Sequence, residues 1–525
     1  MADEEDQSTV EDRNNSMFWV WILCCLGCVF IVIVTALRCL RMQEQDVDAV
    51  PYSCLYIDST YSDFIEVLRS YFKKPKQASN RKQLISSINK VWSPDENKNP
   101  VLVSLSFKTA LDLFLRIQKY PPASEIILTA INIPDVVQIL SHHGIKVVPI
   151  DIHKETMAPN IEHLDQLLTE KTVALIATHL FGRSFDMSAV IERAKSHGIH
   201  VLEDRSQSFN GLQDVGDPES DLTFFSFDVT QQNTTFGGAV IKVKDRLLYN
   251  KMLKLYDSYP LQKEHTYVAD VFKFSVISVV LNNPVLTNFG TTLFRFFKRD
   301  MRKLFNQLLT APSTSGLIRG LRFQPSNTLL YMMEKQFTCF DEDMFKRGRE
   351  SGEYVSDRLP QVAEKIGMMA KHKGYWLFPI IVEDAEEVTK RLNNLGIDAS
   401  REVAHLQLIK NDDVETSADD SLDVSKYILE YVVYLPVHKR VRIFYLDQIL
   451  LAVEIVLNKL AILKRFDKGY DKGHVVNIDE IAEDDIKNQE PSVSGGGRRV
   501  NGNKRKTVTF SPMVTVRRSH RMNDQ

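Results

Sequence analysis

The chain has 525 residues, with 65 Lys and Arg against 68 Asp and Glu; a net charge of -3 gives no global pull toward nucleic acid, and no nucleic-acid partner is expected. Its 44% hydrophobic content is enough for one large α/β domain with appendages, or for two smaller domains. Four of the 6 cysteines, Cys24, Cys25, Cys28 and Cys39, lie in or beside one apolar run, and Cys54 and Cys339 alone make neither a zinc site nor a disulfide framework.

The acidic segment 1–16 leads into Met17–Leu37, an uncharged run long enough to cross roughly 30 Å of hydrocarbon as one helix. A cleaved signal peptide wants bases ahead of its apolar core, and here acids precede it. Arg38 and Arg41 follow, which predicts a single-pass membrane protein with its N-terminus outside or lumenal and the bulk of the chain cytosolic. Residues 38–95 read as a juxtamembrane and helical region, and 96–255 as a large domain of short β-branched runs alternating with amphipathic stretches. Strands are predicted at 125–128, 146–150, 173–176, 200–202, 222–227 and 239–242, with helices at 110–117, 136–140, 161–168 and 187–197. Such alternation predicts a mainly parallel, helix-covered sheet. Residues 256–337 carry an apolar stretch, Phe272–Leu281, and then Phe289–Phe297 followed by Lys298, Arg299, Arg302 and Lys303. They form either a segment lying on an anionic leaflet or a helical lobe against a dimer partner. Residues 338–465 predict a small α+β domain with strands at 375–382 and 431–435 and helices at 385–395 and 446–460. Residues 466–525, acidic and then glycine-rich and basic, cannot bury a core and are expected to be disordered.

The stretch from Phe224 to Asn233 (F-F-S-F-D-V-T-Q-Q-N) resembles the F-S-F-x-x-T-K-N turn of the DegT-type nucleotide-sugar aminotransferases, which have the type I pyridoxal-phosphate fold. Four more segments resemble that family in the same order. His179, Leu180, Phe181, Gly182 is similar to H-L-Y-G; Val201 to Gln207 is similar to V-I-E-D-x-x-Q; Gly237, Gly238 is similar to the E-G-G turn; and Tyr434, Leu435, Pro436 is similar to the L-P motif before the last helix. The resemblance implies an aminotransferase-like sheet domain with a small C-terminal α+β domain, a homodimer, and pyridoxal phosphate chemistry. It assigns Asp204 to the protonated pyridine nitrogen, Gln207 to the ring near its hydroxyl, and Ser226 to the phosphate. Ser106 and Lys108 fall at the phosphate-binding S-G-T, and His179 is counted with the cofactor-binding positions.

The departures fall on the cofactor. Gln231 stands where the family has the lysine that condenses with the cofactor aldehyde, and a carboxamide nitrogen lacks the free lone pair to do so. There is neither lysine nor histidine between Asp204 and Lys242 to replace it. Phe107 replaces the glycine of S-G-T and is expected to crowd the phosphate cup, while Lys108 is left to neutralise an anion; Ile133 replaces the stacking aromatic. Asp204 either retains its cofactor role or hydrogen-bonds locally to hold its loop. The expected status is a pseudoenzyme whose pyridoxal phosphate, if bound at all, is not covalent. The alternatives are an active transferase on a nucleotide sugar or amino sugar with non-covalent cofactor, and a membrane adaptor. The adaptor reading rests on Lys506, Val508 and Phe510, which resemble the K-x-V-x-F docking motif of protein phosphatase 1 partners, with Ser511-Pro512 beside it as a phosphorylation site. Contact of the basic tail with anionic lipid or nucleic acid is the rival reading.

Overall fold

A computed structural model describes residues 52–54, 56–73, 77–94, 99–282, 316–402, 405–410 and 422–469. The predicted span Met17–Leu37, the basic stretch 298–303 and the tail motif 506–510 lie outside the described residues. Among the described residues no helix is long and apolar enough to cross a membrane.

Two helices, α1 (Tyr61–Lys73) and α2 (Gln77–Trp92), precede β1 (Val101–Ser104) and α3 (Phe107–Gln118). There follow β2 (Glu125–Thr129), β3 (Ile131–Asn132), α4 (Pro134–His142), β4 (Lys146–Ile150), α5 (Ile161–Leu167), β5 (Thr172–Thr178), β6 (Arg183–Ser184), α6 (Ser188–Ser196) and β7 (His200–Asp204). Then come β8 (Leu222–Ser226), β9 (Ala239–Val243), α7 (Arg246–Tyr256), α8 (Glu264–Asn282), α9 (Leu317–Leu321), α10 (Asn327–Thr338) and α11 (Glu342–Arg358). The small domain adds β10 (His372–Lys373), β11 (Phe378–Ile381), α12 (Ala385–Asn394), β12 (Gln407–Leu408), α13 (Asp423–Tyr431), β13 (Val432–Leu435) and α14 (Ile443–Gly469).

The main sheet has seven strands in the order β1-β9-β8-β7-β5-β2-β4. β2, β4, β5, β7 and β8 run parallel, and β9 is antiparallel to both its neighbours, so β1 points the same way as β8. Because both faces are covered, the strands are apolar on both sides, as a parallel sheet requires. The period of two splits them cleanly. Leu102, Ile126, Leu128, Ile176, Leu202 and Phe224 face one core with α3, α4 and α7. Val101, Val103, Phe225 and Val240 join α1, α2, α8 and α10 on the other face, where Ile127, Leu175 and Val201 meet α5 and α6. The small domain closes on β11 and β13, an antiparallel pair packed on α12 and α14.

Six predicted strands and four predicted helices stand where expected, with ends displaced by three residues at most. β1 is an addition: three buried apolar residues and a buried serine give no period that separates a strand from the start of a helix. The predicted strand 375–382 shortens to β11, and 431–435 to β13, because Tyr431 ends α13 instead. In the 256–337 region, α8 carries the predicted apolar stretch Phe272–Leu281, and its buried positions Tyr267, Val271, Phe274, Ile277 and Leu281 pack into the core shared with α1 and α10.

Candidate functional site

The register gathers three of the expected residues at the carboxyl end of the sheet. Asp204 ends β7 on the face shared with Leu202 and Phe224, and Ser226 ends β8 two residues beyond the Phe224 that pairs with Asp204. β1 ends at the same side, and α3 starts there with Ser106 as its N-cap, the hydroxyl accepting from Thr109 N–H at 3.1 Å. Asp204 is 3% exposed; Thr178 Oγ1 donates to its Oδ2 at 3.2 Å and Ser206 N–H to its Oδ1 at 3.0 Å. Asn132 donates in turn to Thr178, which orients that hydroxyl toward the acid. Burial pushes the Asp204 carboxyl above its ordinary range against those hydrogen bonds, and among the described residues no cation pairs with it. Gln207 is buried on the following turn, its Oε1 accepting from Phe181 N–H at 3.3 Å.

The remaining expected residues sit differently. His179 follows Thr178 and so falls on the opposite face, fully buried, where Nδ1 accepts from Phe185 N–H at 3.3 Å and Nε2 meets Glu203 Oε1 at 3.1 Å. Burial lowers its pKa, so the ring is neutral with its proton on Nε2, and both nitrogens are spent on the scaffold. Glu203 is the hub of that network. Burial alone would raise its pKa, but the His179 ring, the Arg205 guanidinium and donors from Asp217, Ser220 and Thr223 hold it down at about 2. The expected crowding by Phe107 does not occur through its ring, which packs edge-on against Phe224 at 5.1 Å in the core. Lys108 is neutralised: its Nζ lies 2.7 Å from Asp135 Oδ2 in the first turn of α4. Ile133 is half-buried at the N-cap of the same helix.

Gln231 lines a different space. Its cavity of about 40 Å³ is bounded by Tyr56, Asp58, Tyr375, Trp376, His438 and Lys439 among others, and none of Ser106, Lys108, Asp204, Gln207 or Ser226 borders it. The turn that carries Gln231 is pinned to the small domain, Trp376 Nε1 donating to Thr230 O at 2.9 Å and Gln232 Nε2 to Gly374 O at 3.3 Å. Gly182, at φ 78, allows this approach: a Cβ there would stand 2.3 Å from Trp376 N. From the N-terminal side Asp58 closes the same cavity. It is 8% exposed and accepts from Lys439, the Tyr56 hydroxyl and Asn233 N–H; burial would raise its pKa, but Lys439 and those hydrogen bonds together bring it below its ordinary range. His438 stacks on Tyr56 at 4.3 Å, and burial, with Arg440 nearby, pushes its pKa down to about 3. The buried Gln231 Oε1, Gln232 Oε1 and His438 Nδ1 have no protein hydrogen-bond partner. A space of about 40 Å³ with these unpaired polar atoms on its wall suits a few water molecules and falls far short of the ~300 to 1,000 Å³ of ligand pockets. Asp58 lies more than three hundred residues before Tyr375, Trp376 and Lys439, and no local pattern joins it to them.

For pyridoxal phosphate this geometry supplies one half of a site. Asp204 fits a pyridinium; the amine is missing at Gln231, the one cation of the α3 first turn is already paired, and the cavity at Gln231 lies apart from Asp204.

Residues 101–454 match the DegT/DnrJ/EryC1/StrS aminotransferase family. The chain is 29% identical over 147 residues to GDP-perosamine synthase of Escherichia coli O157:H7, covering 27% of this chain and 40% of that protein. It is 31% identical over 144 residues to GDP-4-keto-6-deoxy-D-mannose 3-dehydratase of Yersinia pseudotuberculosis, covering 27% and 36%. It therefore spans less than half the length of these curated relatives. Among solved structures, NtdA of Bacillus subtilis with bound cofactor PMP superposes with a TM-score of 0.56 at 15% identity, over 79% of this chain and 86% of that one. The aminotransferase TlmJ of Streptoalloteichus hindustanus gives 0.55 at 16%, over 77% and 99%. With the strand order, the Glu203-Asp204 strand end and the 101–454 match together, the chain belongs to the DegT/DnrJ/EryC1/StrS aminotransferase family.

Proposed function

We propose that this family member does not transaminate and acts as a pseudoenzyme that binds a ligand or partner without a covalently held cofactor. The observation that carries this reading is Gln231: a carboxamide within the β8–β9 connection, lining a small cavity that the Asp204 cluster does not border. Purified protein is expected to show no absorbance of an enzyme-bound pyridoxal near the visible edge, and borohydride is expected to trap none. Stoichiometric trapped pyridoxal would overturn the reading. Gln231→Lys alone is expected to leave transamination absent, because the new amine would face Trp376 and Lys439.

One observation favours a second reading, an active transferase holding pyridoxal phosphate without a covalent bond. Asp204 is a buried acid with which, among the described residues, no cation pairs, and a bound pyridinium would relieve that. Names of the relatives point to a nucleotide sugar or amino sugar as the substrate class in that case. Equilibrium dialysis with pyridoxal phosphate separates the two: loss of binding in Asp204→Asn would support the second. The wider proposal is a homodimer, anchored by Met17–Leu37 with its bulk in the cytosol, whose tail recruits protein phosphatase 1.

A further inference from the structure

Away from the Asp204 cluster, and sharing only Asp58 and Lys439 with the Gln231 cavity, a cleft of about 490 Å³ opens between residues 58–64, α8 and the Lys439–Arg440 turn. That volume lies within the ~300 to 1,000 Å³ range of small-molecule sites. Its walls are apolar: Tyr61 and Phe64 of α1, Phe272, Val276 and Val279 of α8, and Met344 of α11. Tyr61 is 67% exposed and Val276 50%, so apolar surface is left to water along the cleft.

The charged groups of the cleft are Asp58, Lys439 and Arg440. Asp58 is already held by Lys439 at 2.7 Å and by the Tyr56 hydroxyl. Arg440 gives one N–H to the Ser59 carbonyl and lies 5.3 Å over the Tyr56 ring, and among the described residues it meets no carboxylate. One acid against two cations leaves a surplus positive charge there, carried by a guanidinium with donors to spare. A neutral apolar ligand would leave that charge unused, and a small free anion would leave the aromatic and valine walls wet. A ligand with an apolar chain and one anionic end satisfies both.

We infer that this cleft binds a single-chain amphiphile with an anionic head, an acyl carboxylate whose head meets Arg440 and whose chain lies between α1 and α8. The inference does not depend on whether the Asp204 site is active, since neither Asp204 nor Gln231 borders the cleft.

The test uses the full chain reconstituted in phosphatidylcholine vesicles, with a photoactivatable diazirine analogue of palmitate as the probe and adducts mapped by mass spectrometry. Adducts are expected on the peptides carrying Tyr61–Phe64 or Phe272–Val279, and excess unlabelled palmitate is expected to suppress them. Val276→Trp, which fills the cleft from a half-exposed position, is expected to reduce labelling about tenfold or more, and Arg440→Gln to shift the competing palmitate concentration upward about tenfold. Labelling spread over the surface, labelling that palmitate does not compete, or equal labelling by the corresponding diazirine alcohol would overturn the inference. The wild-type competition decides the matter if either variant fails to fold.

Discussion

Gly352 occupies the interior of α11, where alanine is ordinarily better by about 1 kcal/mol. A Cβ at this position would stand 2.2, 2.5 and 2.6 Å from atoms of the Tyr375 ring, and that ring is 3% exposed with the Arg183 guanidinium 4.0 Å over it. A contact that close forces the buried ring or the helix to shift, so overpacking outweighs helix propensity. Gly352→Ala is expected to destabilise by about 1 to 3 kcal/mol in denaturant unfolding; a gain in stability would show that Tyr375 is free to move. Asp112 makes a second case in which opposing effects must be weighed. Burial raises its pKa, but hydrogen bonds from His143 and a two-pronged contact from Arg322 at 3.0 Å bring it to about 2. The folded value lies below the ~3.9 of an unfolded aspartate, so its contribution is present above that pH and disappears as the pH falls from about 4 toward 2. The amount is on the order of 2 kcal/mol. Asp112→Asn is expected to lower stability at pH 7 and to flatten the decline between pH 4 and 2, measured by urea unfolding across that range.

Among the elements, α13 shows how a helix start can be invisible in sequence. Its N-cap position is Leu422, which offers no side-chain acceptor. The cap comes from Asp151 at the end of β4, whose carboxylate accepts from Val424 N–H and Ser425 N–H at 2.9 Å each and from the Ser425 hydroxyl. A start signal that lies 273 residues away cannot be read from the local pattern, and α13 was not among the expected helices. Asp151 is 4% exposed, so Asp151→Ala would leave the buried Ser425 N–H and the half-buried Val424 N–H unpaired, at about 1 to 3 kcal/mol for a buried group. The loss is expected to exceed the ~1 kcal/mol of an ordinary N-cap, with faster hydrogen exchange concentrated in Asp423–Tyr431. A loss within that ordinary value, with exchange unchanged, would mean that water replaces the carboxylate. The central strands were legible for the opposite reason: buried on both faces, Ile126–Leu128 and Leu175–Ala177 are continuous apolar runs bounded by turns. Motif order likewise picked out Asp204, Gln207 and Ser226, which the fold brings to the carboxyl end of the sheet or the turn after it. What it missed was facing. One residue along a strand changes the side of the sheet, which is why His179 belongs to Glu203 and not to Asp204.

At the scale of the whole molecule, the proposed anchor and the proposed phosphatase contact stand or fall on the same side of a membrane. Acids precede Met17–Leu37 and Arg38 and Arg41 follow it, so the tail is expected to be cleavable by cytosolic protease in intact cells while the N-terminus is protected. The reverse pattern would remove the docking proposal with the topology. Given a cytosolic tail, Val508 and Phe510 are expected to dominate its affinity for protein phosphatase 1, because each would fill an apolar pocket and each buried side chain contributes on the order of 1 to 3 kcal/mol. Their double replacement by alanine is expected to abolish pull-down by the full chain, while replacing Arg517 and Arg518, outside the motif, changes it little. A tail that works by contact with anionic lipid or nucleic acid would behave in the opposite way, since its affinity follows the number of bases and falls steeply with salt. Pull-down at two salt concentrations therefore separates the cases, and salt-sensitive binding indifferent to Val508 and Phe510 would refute docking.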